Sequence, residues 1–433
     1  MRASPYRIAL TENRSRSVLA DAAAELGQTR QELAALLGET SRRLRKLQGL
    51  DVEPIIIDGD HVKVIELAGL IRVETGLELE VAPKFLGHET VRWREDFFRI
   101  ASLAQSGRIL PHEEISAGRG ESNDLASLVG RVMVSLFKEE QRRPIRLYRR
   151  RHWEDFEVDG DLDEESVFLP GESGFAQEKV LLERGNRYNE IVAEAARLLI
   201  AEVEDQDARR QLQRMFAHLS PQRRPLTVAG SPHRVPSRHR RWQQLYDLSR
   251  RVVAGFGMDF ELEDSPAPGF VLRTWPSWED LLFLAMRTGL RGDEVEAKRG
   301  HEFGKRDGRE FNVTPDGTVS NQGVKFLWDA KYKADWERGT RKISATDVYE
   351  ANAFLEAAGV DRIVLLYPRL AREEVVACGE TDLFETVELS AGTIYGVSIE
   401  ARGISARGGF HAFATHLAAG VTDVLGVAMA AAA

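Results

Sequence analysis

The chain has 433 residues, 43% of them hydrophobic and 29% charged. That balance builds folded cores in two or three domains and excludes a disordered polypeptide. The formal charge of −9 argues against a protein that coats nucleic acid unaided, and the single cysteine, Cys378, excludes a disulfide framework and a cysteine zinc site. No apolar run reaches membrane-spanning length and no signal-peptide pattern opens the chain, so the expected compartment is the cytoplasm.

In chain order, residues 17–48 predict a helical pair broken at Gly27, the second helix opening on Thr29 with Glu32 in capping-box spacing. From Val52 to Phe85 the period shortens to two and predicts strands at 54–57, 61–65, 70–73 and 77–81. Helices follow at 91–104 and 124–139, with a Gly-Arg-Gly-Glu-Ser loop at 118–122 between them that lacks a phosphate-cradle context. A basic stretch interleaved with aromatics runs from Arg142 to Trp153 and includes Arg149, Arg150 and Arg151. The acidic, glycine-bearing segment 154–172 is expected to be a junction between halves. Helices are predicted again at 176–203 and 206–218. A Pro/Arg-rich loop at 220–241 then carries Arg223, Arg224, Arg238, Arg240 and Arg241, cations suited to phosphate contacts.

The remainder holds the chemistry. A predicted helix at Trp278–Met286 carries Glu279, and Pro315-Asp316-Gly317 is a turn. An apolar strand follows, Val324 to Lys333, ending Asp329-Ala330-Lys331-Tyr332-Lys333. Alternate residues of a strand share a face, so Asp329 and Lys331 point the same way and a hairpin can bring Asp316 beside them. A helix at 346–357 and a strand at 362–368 complete a helix–hairpin–helix–strand order. Asp-x-Lys and Pro-Asp-Gly each arise often by chance in so charged a chain. Their combination at hairpin spacing, on a strand that otherwise belongs in a core, points to phosphodiester hydrolysis with Mg²⁺ or Mn²⁺. In that reading Asp316, Asp329, the Ala330 carbonyl and Glu279 hold metal, Lys331 serves the attacking water and Lys333 meets a neighbouring phosphate. There is no Gly-x-x-x-x-Gly-Lys-Ser/Thr motif, so no P-loop nucleotide site is expected, and the ten histidines show no zinc spacing. His411 and His416 suit one helix face but no catalytic serine motif accompanies them, and the alanine-rich end reads as a frayed helix.

The Asp-Ala-Lys-Tyr-Lys strand, the helix after it and the closing Leu-Leu-Tyr-Pro strand resemble McrC, the nuclease subunit of McrBC modification-dependent (5-methylcytosine) restriction systems. The Leu77–Phe85 segment with its Pro-Lys end, Arg94–Ile100, Tyr148 and Arg187-Tyr188-Asn189-Glu190 resemble further landmarks of that family. The resemblance spans about residues 50–370 and implies a PD-(D/E)xK nuclease core in a multi-domain α/β (α+β) chain. It also implies a McrB-like AAA+ GTPase partner, and modified DNA as substrate. Two departures stand out. The Gln-x-x-x-Tyr often found on the helix after the lysine strand is Glu350-x-x-x-Phe354 here, which makes Glu350 and the adjacent Tyr349 accessory candidates, and Gly-Arg-Leu becomes Gly160-Asp161-Leu162. The expected division is a partner-docking region at 1–165 with Arg149–Arg151 as coupling residues, a helical and basic linker at 166–255, a nuclease core at 256–405 and a helical tail at 406–433. Two alternatives stay open at this level: a self-sufficient repair or recombination nuclease, and a non-catalytic activator of a partner NTPase.

Overall fold

A computed structural model of the chain describes residues 6–73, 76–106, 125–219, 234–256, 271–290, 295–321, 324–333, 335–337 and 340–426. The 118–122 loop, Arg223, Arg224, His233, Gly323 and the alanine-rich end lie outside them. The chain divides into two compact units, Met1–Arg119 with Pro266–Ala433, and Gly120–Ser265. That differs from the linear division expected, because the amino-terminal segment shares hydrogen bonds with the carboxy-terminal half. Strand Val271–Arg273 pairs antiparallel with Leu67–Val73, and Thr274 donates its amide to the Glu66 carbonyl.

The amino-terminal part of the first unit has a mixed four-stranded sheet, in the order Tyr6–Thr11, Leu77–Ala82, Leu67–Val73, Val271–Arg273. Helix Arg30–Gln48 forms for local reasons: Thr29 accepts from the Glu32 amide at 3.2 Å, Glu32 accepts from the Thr29 amide at 2.8 Å, and Gly49 closes the helix at φ 61°. Its Leu33, Leu37 and Leu44 pack with Ile71, Val73, Leu79 and Val81 in one core. The Leu-Glu-Leu-Glu alternation of Leu77–Ala82 suggests one wet face, yet the strand is buried throughout. Its glutamates are matched by arginines: Glu78 by Arg7 and Arg72, and Glu80 by a two-pronged contact from Arg94 at 2.6 Å.

The carboxy-terminal part is a six-stranded sheet, in the order Val295–Ala297, Gly317–Asn321, Val324–Ala330, Arg362–Pro368, Gly392–Ile399, Thr381–Leu389. Val324–Ala330, Arg362–Pro368 and Gly392–Ile399 run parallel, and helix Ala345–Ala358 is the crossover between the first two. Ser344 caps that helix on the Asp347 amide, and Gly359 ends it at φ 62°. Phe354 and Leu355 bury against Leu327 and Leu365. Helix Thr274–Gly289 serves the other face, where Phe283 stacks on Trp328 at 6.5 Å. Strand Arg309–Val313, just before the Pro315-Asp316-Gly317 turn, forms a separate hairpin with His301–Arg306. Nor is 406–433 merely a tail: helix Gly409–Val424 buries Phe410, Phe413, Leu417 and Val421. A Cβ on Gly289 would meet the Ala414 carbonyl at 2.1 Å, so the helix seats close against Thr274–Gly289.

In the second unit, helices Leu125–Glu140, Arg187–Glu202, Gln206–Leu219 and Gln243–Phe256 pack together. A three-stranded antiparallel sheet, in the order Leu147–Asp155, Phe175–Glu183, Asp161–Leu162, accompanies them. The helix expected from 176 begins only at Arg187, because Phe175–Glu183 pairs with Leu147–Asp155 over its full length. Residues 154–172 are therefore part of this sheet and its turns, not a junction between halves, and a boundary at 165 would cut the sheet in two. Among the described residues no helix is long and apolar enough to cross a membrane.

Candidate active site

The hairpin does what its spacing predicts. Asp316 immediately precedes strand Gly317–Asn321, whose antiparallel register sets Gly317 opposite Trp328. A Cβ at Gly317 would sit 2.3 Å from the Trp328 indole nitrogen, so only glycine lets the turn close onto the next strand. The closure locks the two aspartates together: the Asp316 amide donates to Asp329 Oδ1 at 3.2 Å, and Asp316 Oδ2 accepts from the Ala330 amide at 2.8 Å. Lys331 lies just beyond the strand, tied by its own amide to the Leu366 carbonyl. Its Nζ reaches Asp329 Oδ2 at 2.6 Å and Glu350 Oε2 at 2.6 Å, with Asp347 at 3.8 Å.

Glu279 comes from the opposite side of the sheet. Pro276 lies in the first turn of helix Thr274–Gly289, where a missing N–H costs nothing, and the buried Trp278 donates its indole N–H to the Leu366 carbonyl at 3.3 Å. That anchor holds Glu279 near Asp316, and both meet a lysine the sequence reading passed over. Lys298 Nζ lies 2.5 Å from Glu279 Oε1 and 3.2 Å from Asp316 Oδ1. The only signal for it is register: Ala297 pairs with Gly317, so the residue after one faces the residue before the other.

Five carboxylates (Glu279, Asp316, Asp329, Asp347 and Glu350) thus surround two ammonium groups, Lys298 and Lys331. Burial pushes the Asp329 carboxyl up to about 7; Lys331 opposes the shift, and Asp316 and Glu350 add to it. Burial also raises Glu279, against its hydrogen bond from Lys298 and with help from Asp316. Lys331 loses by burial but gains more from Asp329 and Glu350, and is held above the usual lysine range. Lys298 is likewise raised, its partial burial outweighed by Glu279 and Asp316. Among the described residues no three His, Cys, Asp or Glu side chains form a ready-made metal cage. Mg²⁺ needs only one or two carboxylates beside water and substrate oxygens, and an acidic excess next to a two-aspartate clasp fits that requirement.

The other expected residues divide by location. Glu350 is at the centre through Lys331, whereas Tyr349 is exposed, and Phe354 is buried in the core below. Lys333 is exposed on the chain beyond Lys331. Arg238, Arg240 and Arg241 belong to the second unit, on the 3-10 turn Ser237–Trp242; Arg238 donates to the Arg146 carbonyl at 2.6 Å and lies over the Tyr148 ring. Arg149, Arg150 and Arg151 line the exposed strand Leu147–Asp155, where Arg149 and Arg150 face Glu183 and Glu178 across the ladder.

A buried polar knot behind the lysine strand was not anticipated either. Glu12 accepts from the Tyr332 hydroxyl at 2.5 Å, the Thr274 hydroxyl at 2.8 Å and the Lys84 amide at 3.3 Å, while Lys84 Nζ donates to the Tyr332 carbonyl and lies over its ring. The residue following the candidate catalytic lysine is therefore held by three segments distant in sequence.

Comparison with known proteins follows the same lines. The chain matches the family described as "McrBC 5-methylcytosine restriction system component" over residues 62–368. It resembles a chain in the refined half-complex of a tetradecameric assembly of Thermococcus gammatolerans McrB AAA+ hexamers with bound McrC. The TM-score is 0.69 at 15% identity, covering 95% of this chain and 99% of that one. A chain of the cryo-EM Thermococcus gammatolerans McrBC complex matches at TM-score 0.48 and 16% identity, covering 63% of this chain and 85% of that one. No curated protein matches. With its family match running from the amino-terminal sheet through the lysine strand to Pro368, the chain belongs to the McrBC 5-methylcytosine restriction system component family.

Proposed function

We propose that the chain is the DNA-cleaving subunit of a modification-dependent restriction complex, a Mg²⁺- or Mn²⁺-dependent endonuclease driven by a separate AAA+ GTPase. The observation that carries this is the clasp of Asp316 on Asp329 with Lys331 at 2.6 Å, at the end of a strand in a parallel part of the sheet, which supports a PD-(D/E)xK reading. Asp316, Asp329, the Ala330 carbonyl and Glu279 would hold the divalent ion, which when bound supplies a polarised phosphate and an acidified water. Lys331 is protonated among its carboxylates, so its work is to orient the water and to stabilise charge on the phosphate rather than to take a proton. Glu350 holds Lys331 in place, and Lys298 keeps Glu279 and Asp316 converged. The substrate is DNA, contacted by Lys333.

The second unit supports the partner half of this reading. Among the described residues this unit exposes large apolar side chains: Phe168, 84% exposed, and Leu169, 83% exposed, at the end of the short helix Glu164–Phe168, and Tyr148 on the strand that carries Arg149–Arg151, with Phe156 just after it. Apolar groups grouped in this way mark an interaction surface, and arginines can reach acidic or phosphate groups across it. We assign docking on the GTPase to this unit rather than to residues 1–165. The test is cleavage of methylated and unmethylated DNA by the chain with and without a McrB-like GTPase, GTP and Mg²⁺. Cleavage that needs all of them supports the proposal, and robust cleavage by the chain alone overturns the partner requirement.

A further inference from the structure

Two neighbouring cavities share walls in the first unit. The smaller, of about 280 Å³, is lined by Ala330, Lys331 and Asp347 and so belongs to the candidate active site. The larger, of about 450 Å³, shares Glu12, Asn13, Tyr332 and Lys333 with it and runs between the amino-terminal sheet and the end of strand Arg362–Pro368. Its cations are spread along the chain: Arg14, Lys63, Lys84, Lys333, Arg341 and Arg372. Its one acidic lining residue, Glu12, is buried and already accepts three hydrogen bonds. Glu373 at 2.7 Å from Arg341 and Glu89 at 4.0 Å from Arg14 lie outside the lining, which itself holds six cations to one carboxylate among the described residues. The walls are fixed: the Ala371 amide donates to the Lys84 carbonyl, and a Cβ on Gly87 would meet the Ala371 methyl at 2.5 Å. Gathering like charges in a half-enclosed cavity costs energy unless an anion answers them. The field acts on Lys84, whose pKa burial lowers to about 8, with Glu12 opposing and Lys333 and Arg341 adding repulsion.

We propose that this cavity is a phosphate-binding site that holds a nucleotide of the DNA strand next to the bond being cut. It rests on the nuclease reading above, and it gives the amino-terminal residues Arg14, Lys63 and Lys84 a part in substrate binding that the sequence did not suggest. A cavity of this size admits a nucleotide rather than a bare phosphate, and the shared wall at Tyr332 and Lys333 lets one strand run from Lys331 into it.

The test is fluorescence anisotropy of a labelled DNA duplex with the full chain, at low ionic strength and without divalent metal. Lys63→Glu with Arg372→Glu should weaken binding on the order of tenfold and lower the slope of log affinity against log salt by about two. The matched double reversal Arg210→Glu with Arg214→Glu, on an exposed helix of the second unit, should change it by less than about twofold. If circular dichroism shows the first variant unfolded, Lys63→Gln with Arg372→Gln replaces it, with a loss of about threefold expected. Equal losses in both pairs, or none in the cavity pair, would overturn the proposal. A 5′-phosphorylated trinucleotide should compete with the duplex; GTP competing more strongly would overturn DNA as the occupant. The two readings fail separately. A wild-type chain that never cleaves, yet loses DNA through the cavity variants, sinks the nuclease assignment alone. Intact cleavage with unchanged affinity sinks the cavity alone.

Discussion

Asp329 and Lys331 carry different parts of the proposed chemistry, and single substitutions separate them from folding. In the proposed site Asp329→Ala would remove a metal ligand and Lys331→Ala the charge beside the phosphate, so each should lower partner-driven cleavage by at least about a hundredfold. Neither should weaken capture of the GTPase, measured by pull-down. The raised Asp329 carboxyl adds a pH signature in metal-free protein. Its folded pKa of about 7 lies above the ordinary 3.8, so between those values the fold holds a proton that the unfolded chain has released. Stability from this residue is full at low pH and is lost as pH rises toward 7. Asp329→Asn cannot titrate there, so the melting temperature of wild type should fall relative to Asp329→Asn between pH 5 and 7.5, and Mg²⁺ should offset the fall. A constant difference between the two proteins across that range would refute the raised carboxyl.

Elements explain why these side chains meet. The Val324–Ala330 strand was legible because its apolar run, its Asp-x-Lys ending and the glycine turn before it follow local rules, and Asp316, Asp329 and Lys331 do converge. Lys298 and the Glu12 knot were not legible, since both depend on strand pairing between distant segments, Ala297 with Gly317 and Val271–Arg273 with Leu67–Gly69. Strand Phe175–Glu183 was read as helix because its mixed apolar and charged residues fit either period, and only its partner Leu147–Asp155 decides. The Glu12 knot makes a stability prediction. Glu12→Gln replaces one of the two accepting oxygens with an NH2 donor, set against either Thr274 or the pair Tyr332 and Lys84, and should cost about 1–3 kcal/mol. Urea denaturation would read it as a lower midpoint at unchanged slope, and a midpoint equal to wild type would contradict the knot.

At the scale of the whole molecule there are two units: one holds the amino-terminal sheet and the candidate active site, the other the exposed strand with Arg149–Arg151 and the exposed Phe168 and Leu169. Residues 120–265 contain their own helices and sheet, so this fragment should fold and bind the GTPase in a pull-down. Phe168→Asp with Leu169→Asp should abolish that binding; retention of full binding would place docking elsewhere. A net charge of −9 predicts weak unaided affinity for DNA, as the proposed dependence on a partner requires. The proposed role of the Asp316–Asp329–Lys331 cluster is to cut DNA. Its most direct measurement is cleavage of a methylated duplex by wild-type and Asp329→Ala chains, each with the partner GTPase, GTP and Mg²⁺. Products from wild type and none from Asp329→Ala, at equal GTP turnover, are the predicted result; equal cleavage by both would contradict it.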